Sequence, residues 1–119
     1  LQSLRICYSN VGDDGARLIA DALKTNSSLK SLDLAENDLA VDSVRVLADA
    51  LKINTSLQSL RICYSNVGDD GARLIADALK TNSSLKSLDL AENDLAVDSV
   101  RVLADALKIN TSLQSLRIC

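Results

Sequence analysis

Histidine does not occur in this chain, and neither do proline, methionine, tryptophan or phenylalanine. The missing imidazole removes every Ser–His or Cys–His nucleophile pair and the ordinary zinc sites. No glycine-rich phosphate loop is present, and the cysteines have no base beside them in sequence. Asp33, Glu36, Asp38 and Asp42 lie close together, but on a strand, a turn and a helix start, without EF-hand order. No catalysis, no cofactor and no metal centre are therefore expected. Cationic excess is missing too. The formal net charge is −3 with the signs interspersed, so there is no basic field for a phosphate backbone and no polybasic patch for anionic lipid. Nucleic acid and membrane are excluded as expected partners. No apolar run approaches the ~20 residues that span a bilayer, and the N-terminal stretch does not read as a signal peptide. A soluble chain is expected, one whose start on Leu1 rather than Met fits a processed or trimmed end. The aromatics are reduced to Tyr8 and Tyr64, so the core must be aliphatic and thin.

What is present is repetition. Leu29 to Leu39 (LKSLDLAENDL) fits L-x-x-L-x-L-x-x-N-x-L at every marked place. Leu1 to Val11 is a divergent copy, with Ile6 and Val11 for leucines and Ser9 for the asparagine. Leu57 to Val67 and Leu85 to Leu95 repeat the two versions, so the unit recurs at a constant interval from Leu1 to Leu29, Leu57 and Leu85. A longer period, that of two units together, is perfect: Leu1 to Cys63 matches Leu57 to Cys119 letter for letter. A fixed period of this length marks a solenoid in which each unit touches only its neighbours. The expected organisation is one array over 1–119, with repeats 1–28, 29–56, 57–84 and 85–112 and a partial strand 113–119.

Each unit divides into a strand and a helix. In Leu1 to Cys7 and Leu29 to Ala35, apolar and polar residues alternate as in a half-buried strand. Leu4, Ile6, Leu32 and Leu34 are predicted to face in, and Ser3, Arg5, Cys7, Ser31, Asp33 and Ala35 to face out. Asp13 to Lys24 and Val41 to Lys52 carry the helical stripe, Ala16, Ile19, Ala20 and Leu23 in one, Val44, Leu47, Ala48 and Leu51 in the other. Arg17 with Asp21, and Arg45 with Asp49, are spaced for i,i+4 ion pairs. Asp13, Asp14 and Asp42 near the helix starts, and Lys24 and Lys52 near the ends, complement the helix dipole. Gly12 and Gly15 are read as letting the helix start lie close to the neighbouring repeat. Asn26 and its equivalents are read as helix ends in the left-handed conformation. Strands joined by a helical crossover run parallel. Two strands apart is ~10 Å, beyond the ~7 Å limit for a bridge, so Cys7, Cys63 and Cys119 are expected to be unbridged thiols.

The strand motif followed by x-x-x-G-A-x-x-I-A-x-A-L-x-x-N-x-x resembles the ribonuclease-inhibitor class of leucine-rich repeats, also found in the C-terminal arrays of NOD-like receptors. The resemblance covers the whole chain. It implies an α/β fold, a curved right-handed solenoid with a parallel sheet on the concave face and helices on the convex face, whose members chiefly bind proteins. It also gives Asn37 and Asn93 a structural role, hydrogen bonding to turn backbone, with Ser9 and Ser65 as lesser versions. Asn26, Asn54, Asn82 and Asn110 each begin an N-x-S/T acceptor sequence, but the period alone supplies all four, and they are read as structural.

The outward columns are the candidate binding surface. The fifth positions read Arg5, Asp33, Arg61, Asp89, Arg117, opposite charges on neighbouring strands that are expected to pair laterally. The eighth positions, Tyr8, Glu36, Tyr64 and Glu92, are the better docking candidates, because tyrosine offers a large contact with a polar tip. An identity across every comparable position is what a synthetic tandem gene gives, a very recent duplication being the other source. The leading expectation is an engineered leucine-rich-repeat scaffold with a structural or self-assembly purpose and no evolved ligand. The alternative is a fragment of a natural interaction array binding a protein on its concave face. The chain opens and closes on strands without polar caps, so self-association through the ends is expected, a dimer in preference to stacking. The expected compartment is cytoplasmic and reducing if the chain is natural, or recombinant expression if it is engineered.

Overall fold

The computed structural model describes residues 1–7, 12–63 and 65–118. Among these residues five short strands alternate with four helices: β1 (Ser3–Arg5), α1 (Gly12–Thr25), β2 (Ser31–Asp33), α2 (Val41–Ile53), β3 (Ser59–Arg61), α3 (Gly68–Leu79), β4 (Ser87–Asp89), α4 (Val97–Ile109) and β5 (Ser115–Arg117). The strands form one parallel sheet in chain order. Ser3 pairs with Ser31, Leu4 with Leu32 and Arg5 with Asp33, and the same register holds at every later pair. The helices stack consecutively on the other side, α1 on α2, α2 on α3 and α3 on α4. This is a curved right-handed α/β solenoid.

The alternation in each strand explains the layers. Leu32, Leu34, Leu60, Ile62, Leu88 and Leu90 point under the sheet and are fully buried. Ala16, Ala20 and Leu23 meet them from α1, Val44, Leu47, Ala48 and Leu51 from α2, and Ile75, Ala76 and Leu79 from α3. Alanine at the middle of each helical stripe lets helix and sheet approach closely without an aromatic to fill the gap. Removing a buried leucine from so thin a core costs about 2 to 5 kcal/mol.

Several local expectations are corrected. Each strand is only the Ser-Leu-Arg or Ser-Leu-Asp centre of the alternating stretch, although backbone pairing runs further: Lys30 N–H donates to Gln2 (2.7 Å) and Ile6 N–H to Asp33 (2.9 Å). Arg45 pairs with Asp42 (2.9 Å), not Asp49, because a helical side chain leans toward its own N-terminus. Asp21 meets Lys24 at 3.8 Å, and Lys52 leaves its helix to reach Asp77 of α3 at 3.0 Å. Gly12 and Gly68 sit at φ +68° with open space where a Cβ would lie, so they supply a left-handed residue rather than close approach. Close approach is the property of Gly71, whose Cβ would stand 2.6 Å from Val67 Cγ1 and 3.4 Å from Val44 Cγ1. The helix-ending asparagines are not left-handed either. Asn54 has φ −70° and ψ 132°, and Asn110 has φ −69° and ψ 133°.

Candidate functional site on the concave wall

The in-register sheet fixes the wall. Arg5, Asp33, Arg61 and Asp89 fall on successive strands in one row, with Arg117 closing it. Asp33 Oδ2 lies 3.4 Å from Arg5 Nε and 3.2 Å from Arg61 Nη1. Asp89 Oδ2 lies 3.4 Å from Arg61 Nε and 3.9 Å from Arg117 Nη1. The second oxygen of each carboxylate accepts a backbone N–H, that of Ala35 for Asp33 and of Ala91 for Asp89, both at 3.0 Å. The alternation that turns these aspartates outward holds, since they point to the concave side. The longer arginines beside them nevertheless lie over them, and both are buried. The neighbouring carboxylates, Asp33 first, raise the Arg61 guanidinium still further above its ordinary value.

Beside this row runs a floor of small side chains, Cys7, Ala35, Cys63 and Ala91. Ala35, outward in the alternation, is buried in that floor. Neither Cys7 nor Cys63 is in a disulfide, and Cys63 is buried. Burial, reinforced by the charge of Asp89, pushes the Cys63 thiol up, against the lowering influence of Arg61. Glu36 and Glu92 occupy the loops beyond the floor, at φ 63° and 59°. Glu36 is half-buried and Glu92 exposed. Tyr8 and Tyr64, with Ser9 and Cys119, lie outside the described residues.

Asn37 and Asn93 sit beneath these loops, both buried. Asn93 Nδ2 donates to the carbonyls of Ile62 (2.9 Å), Leu90 (3.0 Å) and Ala91 (3.3 Å), while its Oδ1 accepts from Ser65 N–H (2.9 Å) and Val67 N–H (3.1 Å). Asn37 Nδ2 donates to Ile6, Leu34 and Ala35 in the same manner. Ser65 Oγ donates to Leu34 (3.2 Å) and Cys63 (3.1 Å).

A second asparagine row runs along the opposite edge, where the helices end. Asn54 Nδ2 donates to Leu23 (2.8 Å) and Asn26 (3.1 Å) of the preceding repeat, Asn82 to Leu51 (2.8 Å) and Asn54 (3.2 Å), and Asn110 to Leu79 (2.8 Å) and Asn82 (3.0 Å). Each Oδ1 accepts two N–H groups of the turn that follows, as at Ser84 (3.0 Å) and Leu85 (2.8 Å) for Asn82. These asparagines begin the acceptor sequences, and the amide nitrogen a glycan would need is committed to carbonyls. Local pattern assigns them only a helix-ending role and misses the link between repeats. A further link escapes it altogether: Asp69, in the first turn of α3, accepts Ala96 N–H (3.0 Å) and the Ser99 hydroxyl at the start of α4. The hydroxyl of Ser99 and the N–H of Ala96 hold the Asp69 carboxyl below the usual carboxylate range.

A sheet of short in-register strands under stacked helices, pinned by asparagine rows at both edges, defines a class. The family described as Leucine Rich repeat matches residues 25–48, 54–76 and 81–104. That is more than half of the chain, and the chain belongs to the leucine-rich-repeat family. No curated protein matches it in sequence. Among solved structures it is similar to "Leiomodin-1 Actin-Binding Site 2 (ABS2)", with a TM-score of 0.93 at 22% identity, over 99% of this chain and 70% of that one. The tropomodulin C-terminal domain of Caenorhabditis elegans is similar at a TM-score of 0.79 and 16% identity, over 87% of this chain and 63% of that one. At these identities the likeness is one of fold.

Proposed function

We propose that the chain is a protein-binding module of a leucine-rich-repeat interaction array, with its concave wall as docking surface and actin as the first partner to test. The observation that carries this reading is the likeness to the actin-binding site of leiomodin-1, which extends over 99% of the chain. The wall offers Arg5, Asp33, Arg61 and Asp89, flanked by Glu36 and Glu92. The module carries out no reaction. The constant repeat interval and the G-A-x-x-I-A-x-A-L helix support the ribonuclease-inhibitor class within the family. Unbridged Cys7 and Cys63, and asparagines whose amides are engaged in the fold, support a reducing, cytoplasmic setting.

Titrating labelled monomeric actin with the protein tests the reading. Saturable binding is expected, abolished by Ser59→Trp, which places a bulky ring on the wall, and kept by Arg101→Glu on the outer face of α4. Absence of binding by the folded protein, or equal loss from both variants, rejects it. A second reading, an engineered scaffold without an evolved ligand, draws on the exact identity of Leu1 to Cys63 with Leu57 to Cys119. It expects no partner at all and a gene whose two copies differ in codon use. Association of the chain with itself has no support from the comparisons, which point to a different protein as partner.

A further inference from the structure

We propose that Arg5, Arg61 and Arg117 form a comb that recognises an acidic segment of a partner protein, its carboxylates repeating at the distance between alternate strands. This rests on the concave-wall reading and names the chemistry of the partner. Lateral pairing alone makes the fifth-position row look spent. Side-chain exposure says otherwise: Asp33 and Asp89 are only 10% and 12% exposed, whereas Arg5, Arg61 and Arg117 stand 72%, 46% and 65% exposed. The carboxylates are the foundation and the guanidinium groups are the surface. An approaching chain therefore meets guanidinium groups before carboxylates.

The hydrogen-bond inventory leaves donors for that chain. A guanidinium has five N–H groups. Arg61 uses one hydrogen of Nη1 for Asp33 (3.2 Å) and one of Nη2 for the Cys63 sulfur (3.5 Å), with Nε 3.4 Å from Asp89. The second hydrogen of each terminal nitrogen remains, a fork that matches one carboxylate. The contacts of Arg5 run through Nε, to Asp33 and Cys7, both at 3.4 Å. Because Asp33 and Asp89 hold these side chains in place, little rotamer freedom is left to lose on binding.

Spacing and flanks select the partner. The three arginines occupy alternate strands, about 10 Å apart at the usual strand separation. A helix laid across the strands meets that spacing with an acidic residue at every seventh position, about 10.5 Å of rise. Glu36 and Glu92 on the adjoining loops oppose a continuous polyanion such as a nucleic-acid strand. They accept a protein segment whose acidic stripe is bordered by neutral or basic residues.

The probe is a fluorescein-labelled helical peptide with Glu at every seventh position, and beside it a peptide of equal composition with those residues scrambled. Fluorescence anisotropy at low salt is expected to show the spaced peptide binding about tenfold tighter or more. Arg61→Gln and Arg5→Gln should each weaken it about tenfold, the scale of one lost charge-assisted hydrogen-bonded pair. Arg61→Lys should weaken it too, since an ammonium lacks the fork. Arg5→Gln covers the case in which Arg61→Gln disturbs folding, because the Arg5 side chain is the most exposed of the three. Equal binding of the two peptides, binding indifferent to the variants, no binding, or displacement by single-stranded oligonucleotide better than by the peptide would overturn the proposal. Actin binding that survives both Gln variants but not Ser59→Trp would overturn the comb and leave the docking wall standing. Peptide binding without actin binding would do the reverse.

Discussion

Replacing Asn82 by alanine deletes four hydrogen bonds at once, two given and two received. The carbonyl of Leu51 is among the last of α2 and has Asn82 as its partner; the N–H groups of Ser84 and Leu85 open the next turn. Each buried group left unpaired costs about 1 to 3 kcal/mol, reduced where water can reach it. With Ser84 partly exposed, the sum is about 3 to 4 kcal/mol. Asn26 is the internal control. It is exposed and only accepts among the described residues, from Ser28 N–H (3.0 Å), Leu29 N–H (2.7 Å) and, at 3.5 Å, the Ser28 hydroxyl. Its alanine variant should cost about 1 kcal/mol. Urea unfolding at equal protein concentration measures both, the midpoint of Asn82→Ala falling by about 1 to 2 M for an ordinary urea slope. Asn82→Asp is nearly isosteric but loses the donors and sets a negative charge against the carbonyl end of α2, so it should cost about 2 kcal/mol or more. Equal losses from Asn82→Ala and Asn26→Ala, or a harmless Asn82→Asp, would show that the row fills space and does not bind repeat to repeat.

Asp33→Ala should cost about 1 to 2 kcal/mol, because it leaves Arg5 and Arg61 facing each other and the Ala35 N–H unpaired; urea melts at low and high salt that show no loss would refute the ladder. In native protein Cys63 should react with a thiol probe far more slowly than Cys7, and accelerate as pH rises toward its raised value, as followed by site-resolved mass spectrometry; equal rates at neutral pH would contradict its burial. Asp69 has a depressed carboxyl, so its contribution is present above the ordinary carboxylate value and is lost as pH falls through the lower folded one. Acid titration of stability should therefore be flatter in Asp69→Asn than in the parent, and identical profiles would remove the link from α3 to α4.

The layers were legible because they depend on periodicity alone. Leu32 and Leu34 alternate, Ala16, Ala20 and Leu23 recur with the helical turn, and the constant offset between repeats sets Arg5 beside Asp33 without further information. Depth was not legible. Alternation says that Asp33 and Ala35 point away from the core, but not that neighbouring arginines will cover the carboxylate. The asparagines were legible as helix ends and not as links, because a donor that reaches back one whole repeat leaves no trace in local pattern. Asp69, like its copy Asp13, reads as a dipole partner for its own helix. Only the stacking of α4 against α3 shows that it serves the next one. The tyrosines, the strongest docking residues in the sequence reading, fall outside the described residues.

The register of the sheet also bears on how the chain finds its fold. Strand β1 pairs with β2 through Ser31, Leu32 and Asp33, and β4 presents the same three residue types in Ser87, Leu88 and Asp89. Arg5 can thus meet a partner carboxylate three times further along the chain with every strand contact intact. Closing that longer loop costs only about 1 kcal/mol more, from the logarithmic growth of loop entropy. Strand chemistry does not distinguish the two pairings. What does is what the longer pairing leaves unmade: β2 and α2 lose β1 and α1 as neighbours, and the amide of Asn54 loses the carbonyls of Leu23 and Asn26. A chain that skips β2 and β3 keeps the residue pairs of the native ladder and gives up the contacts of the repeats left out. Exact repetition makes the local contacts easy to form and the correct neighbour slow to choose.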